Sequence, residues 1–337
     1  MSKILDVKNL TVKVNSGKKE LKIIDDISLS LNSGETVGII GESGCGKSIT
    51  ALSILRLLEP NIKITDGIIE IENTNVRKLS AKELRKICGK KVGMVFQEPM
   101  TALNPVFNIE QQMLAPMKTH LKIPKHELHN RCIKLLQQVG IKEPEAVLKS
   151  YPHQLSGGMR QRIVIAMAIS CSPSLLIADE PTTALDVTIQ LQILRIIKNL
   201  VQQNRMSLLI ISHDIGVIST LAEEIIVMYA GEIIEQDNKE NIIKNAQHPY
   251  SKKLINAALE LQNGCKELTI VEGSVPRPHE NIIGCKFAPR CEFCTEKCLN
   301  EKPPTILKSN GTGRIKCWKY IKHDTVLQVM NGMMMAT

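Results

Sequence analysis

The pattern of hydrophobic and polar positions changes character along the first sixty residues. Residues 4–14 and 27–31 alternate apolar and polar side chains, which predicts half-exposed strands, with a turn at 15–17 between them. A continuous apolar run at 36–40 predicts a buried strand that enters a glycine-rich loop. The stretch 49–58 then has the pattern of a helix.

The middle of the chain alternates helical and strand patterns. Residues 108–150 predict helices that are broken at Pro116, Pro124 and Pro144. The elements that follow are a helix after residue 158 that continues through 169, a strand at 175–178, a helix at 188–203 and a strand at 207–211. Strands that alternate with helices predict a mainly parallel α/β sheet with right-handed connections.

The periodic pattern weakens beyond about residue 249. Five prolines between residues 276 and 304 predict an irregular region there. Half of the ten cysteines are scattered, as free thiols in a reducing compartment would be. The other five lie within 33 residues and form a cluster: Cys285, Cys291, Cys294, Cys298 and Cys317.

Composition narrows the choice of protein class. The 337 residues are 43% hydrophobic and 23% charged, which fits a soluble globular protein and excludes wholesale disorder. No apolar run reaches the ~18 residues of a membrane-spanning helix, and the first residues do not resemble a secretory leader. We therefore expect a cytoplasmic chain.

The net charge of +9 is unevenly distributed, since residues 251–337 hold 13 basic and 8 acidic side chains. A basic tail is compatible with nucleic acid, with an anionic membrane surface, or with a plain solvated face. The nine aromatic residues, of which Phe96 is the first, argue against a base-stacking platform.

Residues 41–48 follow a predicted strand and precede a predicted helix, as a phosphate-binding loop does. Glycines there let backbone N–H groups surround phosphates, and the helix N-terminus adds a positive dipole. These flanks favour that interpretation over a chance glycine-rich turn. Lys47 is predicted to reach the β- and γ-phosphates, and the Ser48 hydroxyl to ligate Mg²⁺. The predicted ATP-binding residues of this segment are Gly41, Glu42, Ser43, Gly44, Cys45, Gly46, Lys47, Ser48 and Ile49.

Two adjacent acids end the apolar strand predicted at 175–178. Asp179 is expected to hold Mg²⁺ directly or through water, and Glu180 to polarise the attacking water as general base. Acids after a strand are also common as exposed loop residues. The phosphate loop upstream favours the catalytic interpretation.

A second helix start with anion-binding character is Ser156-Gly157-Gly158. The chain already has a phosphate loop for its own ATP. The second site therefore suggests a sandwich of two subunits, in which residues 156–158 contact the ATP bound by the partner subunit. With these motifs in order, residues 4–250 resemble the ATP-binding cassette family. The resemblance implies an α/β P-loop ATPase: a RecA-like parallel core, an N-terminal antiparallel β subdomain and an α-helical signature subdomain at about 98–165.

The resemblance assigns further residues. Gln97 matches the family's metal- and interface-sensing glutamine, Ala184 to Asp186 match the loop that crosses the dimer interface, and His213 matches the histidine that contacts the γ-phosphate. One feature departs from the family, because no aromatic ring precedes Phe96 to stack on adenine. Val14 occupies about that position, so apolar contact is expected there in place of stacking.

Within this family, the closest resemblance is to the ATPase subunits of bacterial importers for dipeptides, oligopeptides and nickel. The segments that carry it are 97–105, 151–155, 178–189 and 248–250. The proline-containing cysteine region resembles that group's C-terminal extension. The implied organisation is a nucleotide-binding domain at 1–250, the extension at 251–322, and a tail at 323–337 without a counterpart.

This resemblance implies an ATP-hydrolysing subunit, peripheral at the cytoplasmic face of the inner membrane, that uses Mg²⁺ with ATP to drive uptake of di- and oligopeptides. Nickel or a metal chelate is the alternative cargo. The implied partners are a paralogous second ATPase forming a heterodimer, two transmembrane permeases and an extracytoplasmic solute-binding protein.

The spacing of Cys285, Cys291, Cys298 and Cys317 resembles an iron–sulfur ligand set in that extension, which implies a [4Fe–4S] cluster. The pair Cys291 and Cys294 has the Cys-x₂-Cys spacing of zinc sites, so zinc is an open alternative, as are free thiols. A structural role is favoured over a redox role.

Cassette ATPases also act on nucleic acid, and the basic tail could fit that work. Those proteins usually carry two cassettes or a long coiled coil between the phosphate loop and the signature loop. Here Gln97 and Ser156 are only 59 positions apart with prolines between them. The sequence therefore favours transport and no nucleic-acid partner.

Overall fold

Two β-sheets organise the protein in the computed structural model, which describes residues 2–17, 19–98, 102–183, 185–262, 272–280, 282–309 and 311–321. The strands are β1 (Lys3–Ser16), β2 (Lys19–Asn32), β3 (Thr36–Ile40), β4 (Ile62–Ile71), β5 (Thr74–Asn75), β6 (Val92–Val95), β7 (Leu175–Asp179), β8 (Ser207–Ile211), β9 (Glu224–Tyr229), β10 (Glu232–Asn238), β11 (Ile306–Leu307) and β12 (Arg314–Ile315). The α-helices are α1 (Lys47–Ile54), α2 (Ala81–Ile87), α3 (Ile109–His120), α4 (Lys125–Gln138), α5 (Pro144–Lys149), α6 (Gly157–Ala168), α7 (Val187–Asn204), α8 (Ile215–Leu221), α9 (Lys239–Asn245), α10 (Pro249–Gln262) and α11 (Glu296–Asn300).

The first sheet is antiparallel, with the order β2-β1-β4-β5. Its inward-facing residues, such as Val7 opposite Leu29, form one hydrophobic core together with one face of the second sheet. The alternation of apolar and polar positions that predicted these strands is the consequence of this one-sided burial. The N-terminal antiparallel β subdomain is therefore confirmed.

The second sheet has the order β11-β12-β10-β9-β3-β8-β7-β6. Strands β9, β3, β8, β7 and β6 are parallel, whereas β10 and the β11–β12 hairpin are antiparallel. Strand β7 is buried on both faces, so that Ile177 belongs to one core and Leu176 to the other. This double burial explains the continuous apolar runs. The parallel arrangement aligns the carboxyl ends of these five strands along one edge of the sheet, where ligands of α/β sheets bind.

The helices between β6 and β7 form the predicted helical region. The predicted break at Pro116 is wrong, because α3 continues through that residue. Ile109, Met113 and Met117 lie buried along one side of α3, and their packing outweighs the hydrogen bond that a proline forfeits. Among the described residues, no helix is long and apolar enough to cross a membrane.

The C-terminal extension is more regular than the sequence predicts. Helix α10 continues to Gln262, and the β11–β12 hairpin joins the main sheet by pairing Ile315 with Glu235 of β10. Buried Lys308 lies 2.7 Å from Glu235 and 3.0 Å from Asp237, so these charges are paired inside the protein. The second sheet thus extends across the domain boundary predicted near residue 250.

Candidate active site

The phosphate loop runs from the end of β3 to the start of α1. Its last glycine, Gly46, has φ of +107° and a Cβ there would lie 2.5 Å from Ile24 Cδ1, so only glycine fits. The buried Lys47 ammonium donates hydrogen bonds to the carbonyl oxygens of Gly41 (2.8 Å) and Glu42 (3.1 Å). Ser43 and Gly44 are exposed, whereas Cys45 is buried under the loop. Ile49 packs against the core beneath α1.

Asp179 lies at the carboxyl end of β7 and accepts a hydrogen bond from the Ser48 hydroxyl at 3.1 Å. Burial, reinforced by the neighbouring Glu180, raises the pKa of Asp179 to about 6. A hydroxyl and a carboxylate side by side are oxygen ligands of the kind that Mg²⁺ prefers. This donor pair therefore fits the predicted metal contact.

Because its pKa is raised, the ionised Asp179 lowers the free energy of unfolding of the nucleotide-free protein. Above pH 6 the folded protein holds a buried carboxylate that an unfolded chain ionises freely above its ordinary pKa of 3.8. Asp179→Asn, which keeps the acceptor for Ser48, is expected to raise the free energy of unfolding at pH 7.5 by on the order of 3 kcal/mol, and by about half of that at pH 5. Denaturant unfolding at the two pH values measures it. Asp66→Asn, at an exposed position, is the control, and an equal gain at both pH values would contradict the expectation.

Glu180 follows Asp179 and is held by two hydrogen-bond donors. The Thr183 hydroxyl donates to its Oε2 at 2.7 Å, and His213 Nδ1 donates to the same oxygen at 3.0 Å. Burial opposes ionisation, but these two contacts outweigh it and lower the pKa of Glu180 below its usual range. His213 follows β8 and is exposed. The Glu180 carboxylate therefore favours its ionised form at the carboxyl edge of the sheet.

Gln97 is exposed two residues beyond β6, which pairs with β7 so that Val95 lies opposite Ala178. The four predicted positions that follow β3, β6, β7 and β8 are consequently gathered at one edge of the sheet. Residues 99–101 and 184, which carried part of the resemblance, lie outside the described residues, as does the tail at 323–337.

Comparison with known proteins identifies the family. The profile described as ABC transporter matches residues 24–183, and the one described as oligopeptide/dipeptide transporter, C-terminal region, matches residues 234–298. The oligopeptide transport ATP-binding protein AppD of Bacillus subtilis is 42% identical over 321 residues, which are 95% of this chain and 98% of that protein. This chain belongs to the ABC transporter family.

Other relatives are similar over comparable lengths. The dipeptide transport ATP-binding protein DppD of Escherichia coli is 41% identical over 91% of this chain and 94% of its own length. Among solved structures, a dimeric ATP-binding cassette in a post-hydrolysis state with ADP and Pi superimposes with a TM-score of 0.63 and 30% identity, covering 70% of this chain and 98% of that one. The predicted cassette fold is confirmed.

The predicted signature segment of this ABC protein lines a cavity that does not include its own phosphate loop. Ser156 caps α6 by accepting from the Met159 N–H at 3.3 Å, and Asp186 caps α7 by accepting from the Ile189 N–H at 2.9 Å. Ser156, Gly157, Gly158 and Asp186 together line a cavity of about 770 Å³. The phosphate-loop residues are not part of its lining. The predicted interface residues, of which Ser156 and Asp186 are exposed, are thus grouped on one surface.

A cavity of about 600 Å³ adjoins the phosphate loop at Gly44. Strand β2 supplies Leu21 and Ile23 to its wall, and the C-terminal extension supplies Pro278 and Ile283. Val14 lies opposite Leu21 across the β1–β2 pair and does not line this cavity. The contact of Val14 with adenine, expected from its sequence position, stays a prediction, and Leu21 and Ile23 are the apolar β2 residues that line this cavity.

Two residues that contact the phosphate loop have no counterpart among the predicted site residues. The Glu42 N–H donates to the Tyr250 hydroxyl at 2.9 Å, and Arg290 contacts the Glu42 carboxylate with both terminal nitrogens. Tyr250 belongs to the segment 248–250, which contributed to the family resemblance. The sequence analysis gave this tyrosine no role of its own. Arg290 offered no signal except its place beside Cys291.

Four of the clustered cysteines, Cys285, Cys291, Cys298 and Cys317, line one small cavity of about 20 Å³ beside His248 and Phe287. Cys294 is not part of that lining. Burial raises the pKa of Cys285 to about 12 and that of Cys317 to about 11, so these thiols hold their protons at neutral pH. Within the described residues, no group of three or more His, Cys, Asp or Glu side chains has an arrangement that could hold a metal ion.

Proposed function

We propose that this chain is the ATP-hydrolysing subunit of an importer of di- and oligopeptides. The observation that carries the ATPase activity is the meeting of Lys47, the Ser48–Asp179 pair and the Glu180–His213 pair at one edge of the sheet. The peptide cargo is supported by relatives named for oligopeptide and dipeptide transport, which match more than nine-tenths of this chain.

In this mechanism the backbone N–H groups at the start of α1 hold the ATP phosphates, and Lys47 exchanges its contacts with loop carbonyls for phosphate oxygens. Ser48, Asp179 and Gln97 would hold Mg²⁺, which when bound offsets the negative charge of the phosphates. Glu180 orients the attacking water and accepts its proton. His213 holds Glu180 in place and contacts the γ-phosphate side.

The active unit is a sandwich of two cassettes. The separation of the Ser156–Gly158 cavity from the phosphate loop of the same chain supports this arrangement. The signature loop of a paralogous partner would cover the ATP bound here, and Asp186 would contact that partner. ATP binding closes the pair, and hydrolysis lets it open.

The nucleotide base lies in the cavity beside Gly44. Leu21 and Ile23 from β2 and Pro278 and Ile283 from the extension offer it apolar contact from two sides. These residues take the place that the sequence assigned to Val14. The volume of about 600 Å³ is ample for a purine.

The chain is peripheral at the cytoplasmic face of the inner membrane, where two permease subunits cross the bilayer and a solute-binding protein delivers the peptide. The names of the relatives support such a complex. The exposed segment after Gln97 and the helices α3–α5 are the proposed surface for the permeases. No nucleic acid is required.

Uptake in the native host tests the cargo. Cells that carry Glu180→Gln in place of the wild-type chain are expected to lose uptake of labelled di- and oligopeptides, because ATP turnover stops, and to keep uptake of labelled nickel. Glu223→Gln, a change of the same kind at an exposed position, is the matched control and should transport normally. Loss of nickel uptake alone would favour the alternative cargo. If uptake of peptides and uptake of nickel are both unchanged, the chain drives the import of neither solute.

The cysteine cavity is proposed to bind a [4Fe–4S] cluster as a structural cross-link of the extension. Four cysteine thiols meet at one cavity, and Cys294 is not among them. This grouping supports the four cysteines predicted as cluster ligands. The cluster would supply the positive iron charge that lets these thiols ionise. The thiol groups would have to rotate outward, since the cavity they share has room for about one water molecule.

Anaerobic purification tests this proposal. The protein is expected to be brown and to contain about four iron and four sulfide per chain. Cys298→Ser should lose them, whereas Cys294→Ser, the matched control, should retain them. Colourless protein with about one zinc would favour the zinc site, and loss of metal in the Cys294 variant would contradict the ligand set.

A further inference from the structure

Arg290 connects the C-terminal extension to the phosphate loop. Its two terminal nitrogens donate to the two carboxylate oxygens of Glu42 at 2.9 and 3.1 Å, and one of them also lies 3.2 Å from the Tyr229 hydroxyl. Its Nε donates to the Glu272 carbonyl at 2.7 Å. Only 6% of the Arg290 side chain is exposed. A bidentate contact of this kind fixes orientation as well as distance.

The guanidinium of Arg290 rests against an aromatic cluster. Its central carbon is 5.7 Å from the ring centre of Tyr229 and 6.0 Å from that of Phe287. The Tyr250 ring packs on Tyr229 at 4.6 Å, and its hydroxyl accepts the Glu42 N–H. Both the backbone and the side chain of Glu42 are therefore held by residues that follow the catalytic motifs in the chain.

The same turn carries part of the cysteine cavity. Arg290 ends the 3₁₀ turn Ala288–Arg290, and the next residue, Cys291, donates its N–H to Ala288 at 3.2 Å. Phe287 packs against Arg290 on one side and lines the cysteine cavity on the other. A displacement of Cys291 would consequently displace Arg290, and with it the carboxylate of Glu42.

We propose that Arg290 is a positioning residue for the phosphate loop, through which nucleotide binding and the cysteine-bearing turn affect each other. The inference rests on the proposed function in one respect, because it takes ATP as the ligand of residues 41–48. Arg290 holds Glu42 so that the loop is arranged for phosphates before they arrive. Thermodynamic linkage then requires that bound nucleotide stabilises the turn.

The test compares purified full-length variants by calorimetric titration with MgATP and by hydrogen–deuterium exchange of peptides covering 285–299. In the wild-type chain, MgATP is expected to slow exchange in those peptides. Arg290→Ala should weaken MgATP binding about tenfold and abolish the slowing. Arg290→Lys keeps the positive charge but cannot make the bidentate contact. Its MgATP affinity and its slowing of exchange should lie between those of the wild type and Arg290→Ala.

Lys253→Ala is the matched control, since it removes a 3.6 Å ion pair with Glu292 of the same extension that does not reach the phosphate loop. It should bind MgATP and respond in exchange as wild type does. If Arg290 only stabilises the fold, Arg290→Ala should be less stable but keep the MgATP affinity and the exchange response of the wild type. That result would overturn the inference.

Should Arg290→Ala fail to fold, Arg290→Lys and Glu42→Gln carry the same comparison, and wild-type behaviour in both would overturn the inference. Failure of the proposed function would look different. In that case the wild-type chain itself would not bind MgATP.

Discussion

Lys47→Ala is expected to remove measurable ATP binding, with a loss of affinity of about 100-fold or more. Lys47 is buried at the loop, and its ammonium donates to the carbonyl oxygens of Gly41 and Glu42, contacts that it can exchange for phosphate oxygens. Alanine removes a positive charge that the phosphates need at a site with little water to replace it. Titration with MgATP measures the effect.

The control for this change is Lys63→Ala, which removes an exposed lysine of β4 and should leave affinity unchanged. Thermal unfolding of both variants distinguishes lost binding from a lost fold. Lys47→Arg is informative as well, because a planar guanidinium cannot occupy the position of a compact ammonium and should also bind weakly. ATP affinity retained in the alanine variant would contradict the phosphate-loop assignment.

Glu180→Gln is expected to bind MgATP normally and to hydrolyse it about 10²- to 10⁴-fold more slowly. Glutamine keeps the shape of the side chain and can still bond to Thr183 and His213, but it cannot accept a proton from water. In the proposed mechanism hydrolysis opens the closed sandwich, so the variant, mixed with its partner cassette, should accumulate as an ATP-dependent dimer. Phosphate release and size-exclusion chromatography with and without MgATP measure these two effects.

Glu223→Gln controls for the loss of one negative charge and should hydrolyse ATP as wild type does. His213→Ala should fall between them, since it removes one of the two donors that hold the Glu180 carboxylate. Wild-type turnover in Glu180→Gln would exclude Glu180 as the proton acceptor. Slow turnover without an ATP-dependent dimer, in the presence of the partner cassette, would support the role of Glu180 in hydrolysis but contradict the sandwich.

The features whose place in the fold the sequence alone predicted are those encoded within a contiguous stretch. The phosphate loop, the acids that end β7 and the cap of α6 each depend on backbone geometry over fewer than ten residues, and residue type reports that geometry directly. The parallel sheet was predictable for a related reason, since strands buried on both faces must be apolar throughout. The helix break predicted at Pro116 is wrong because the packing of α3 outweighs the tendency of proline to interrupt a helix.

Contacts between distant segments were decided by the tertiary structure. Glu42 meets Tyr250 and Arg290 across 208 and 248 positions of sequence, and no periodicity reports such a pairing. The cavity beside Gly44 likewise joins Leu21 of β2 to Ile283 of the extension, which are far apart in the sequence. The sequence thus determined the chemistry of the site, because that chemistry is local. Only the packing of the extension on β10 and the phosphate loop decided which remote side chains hold it in place.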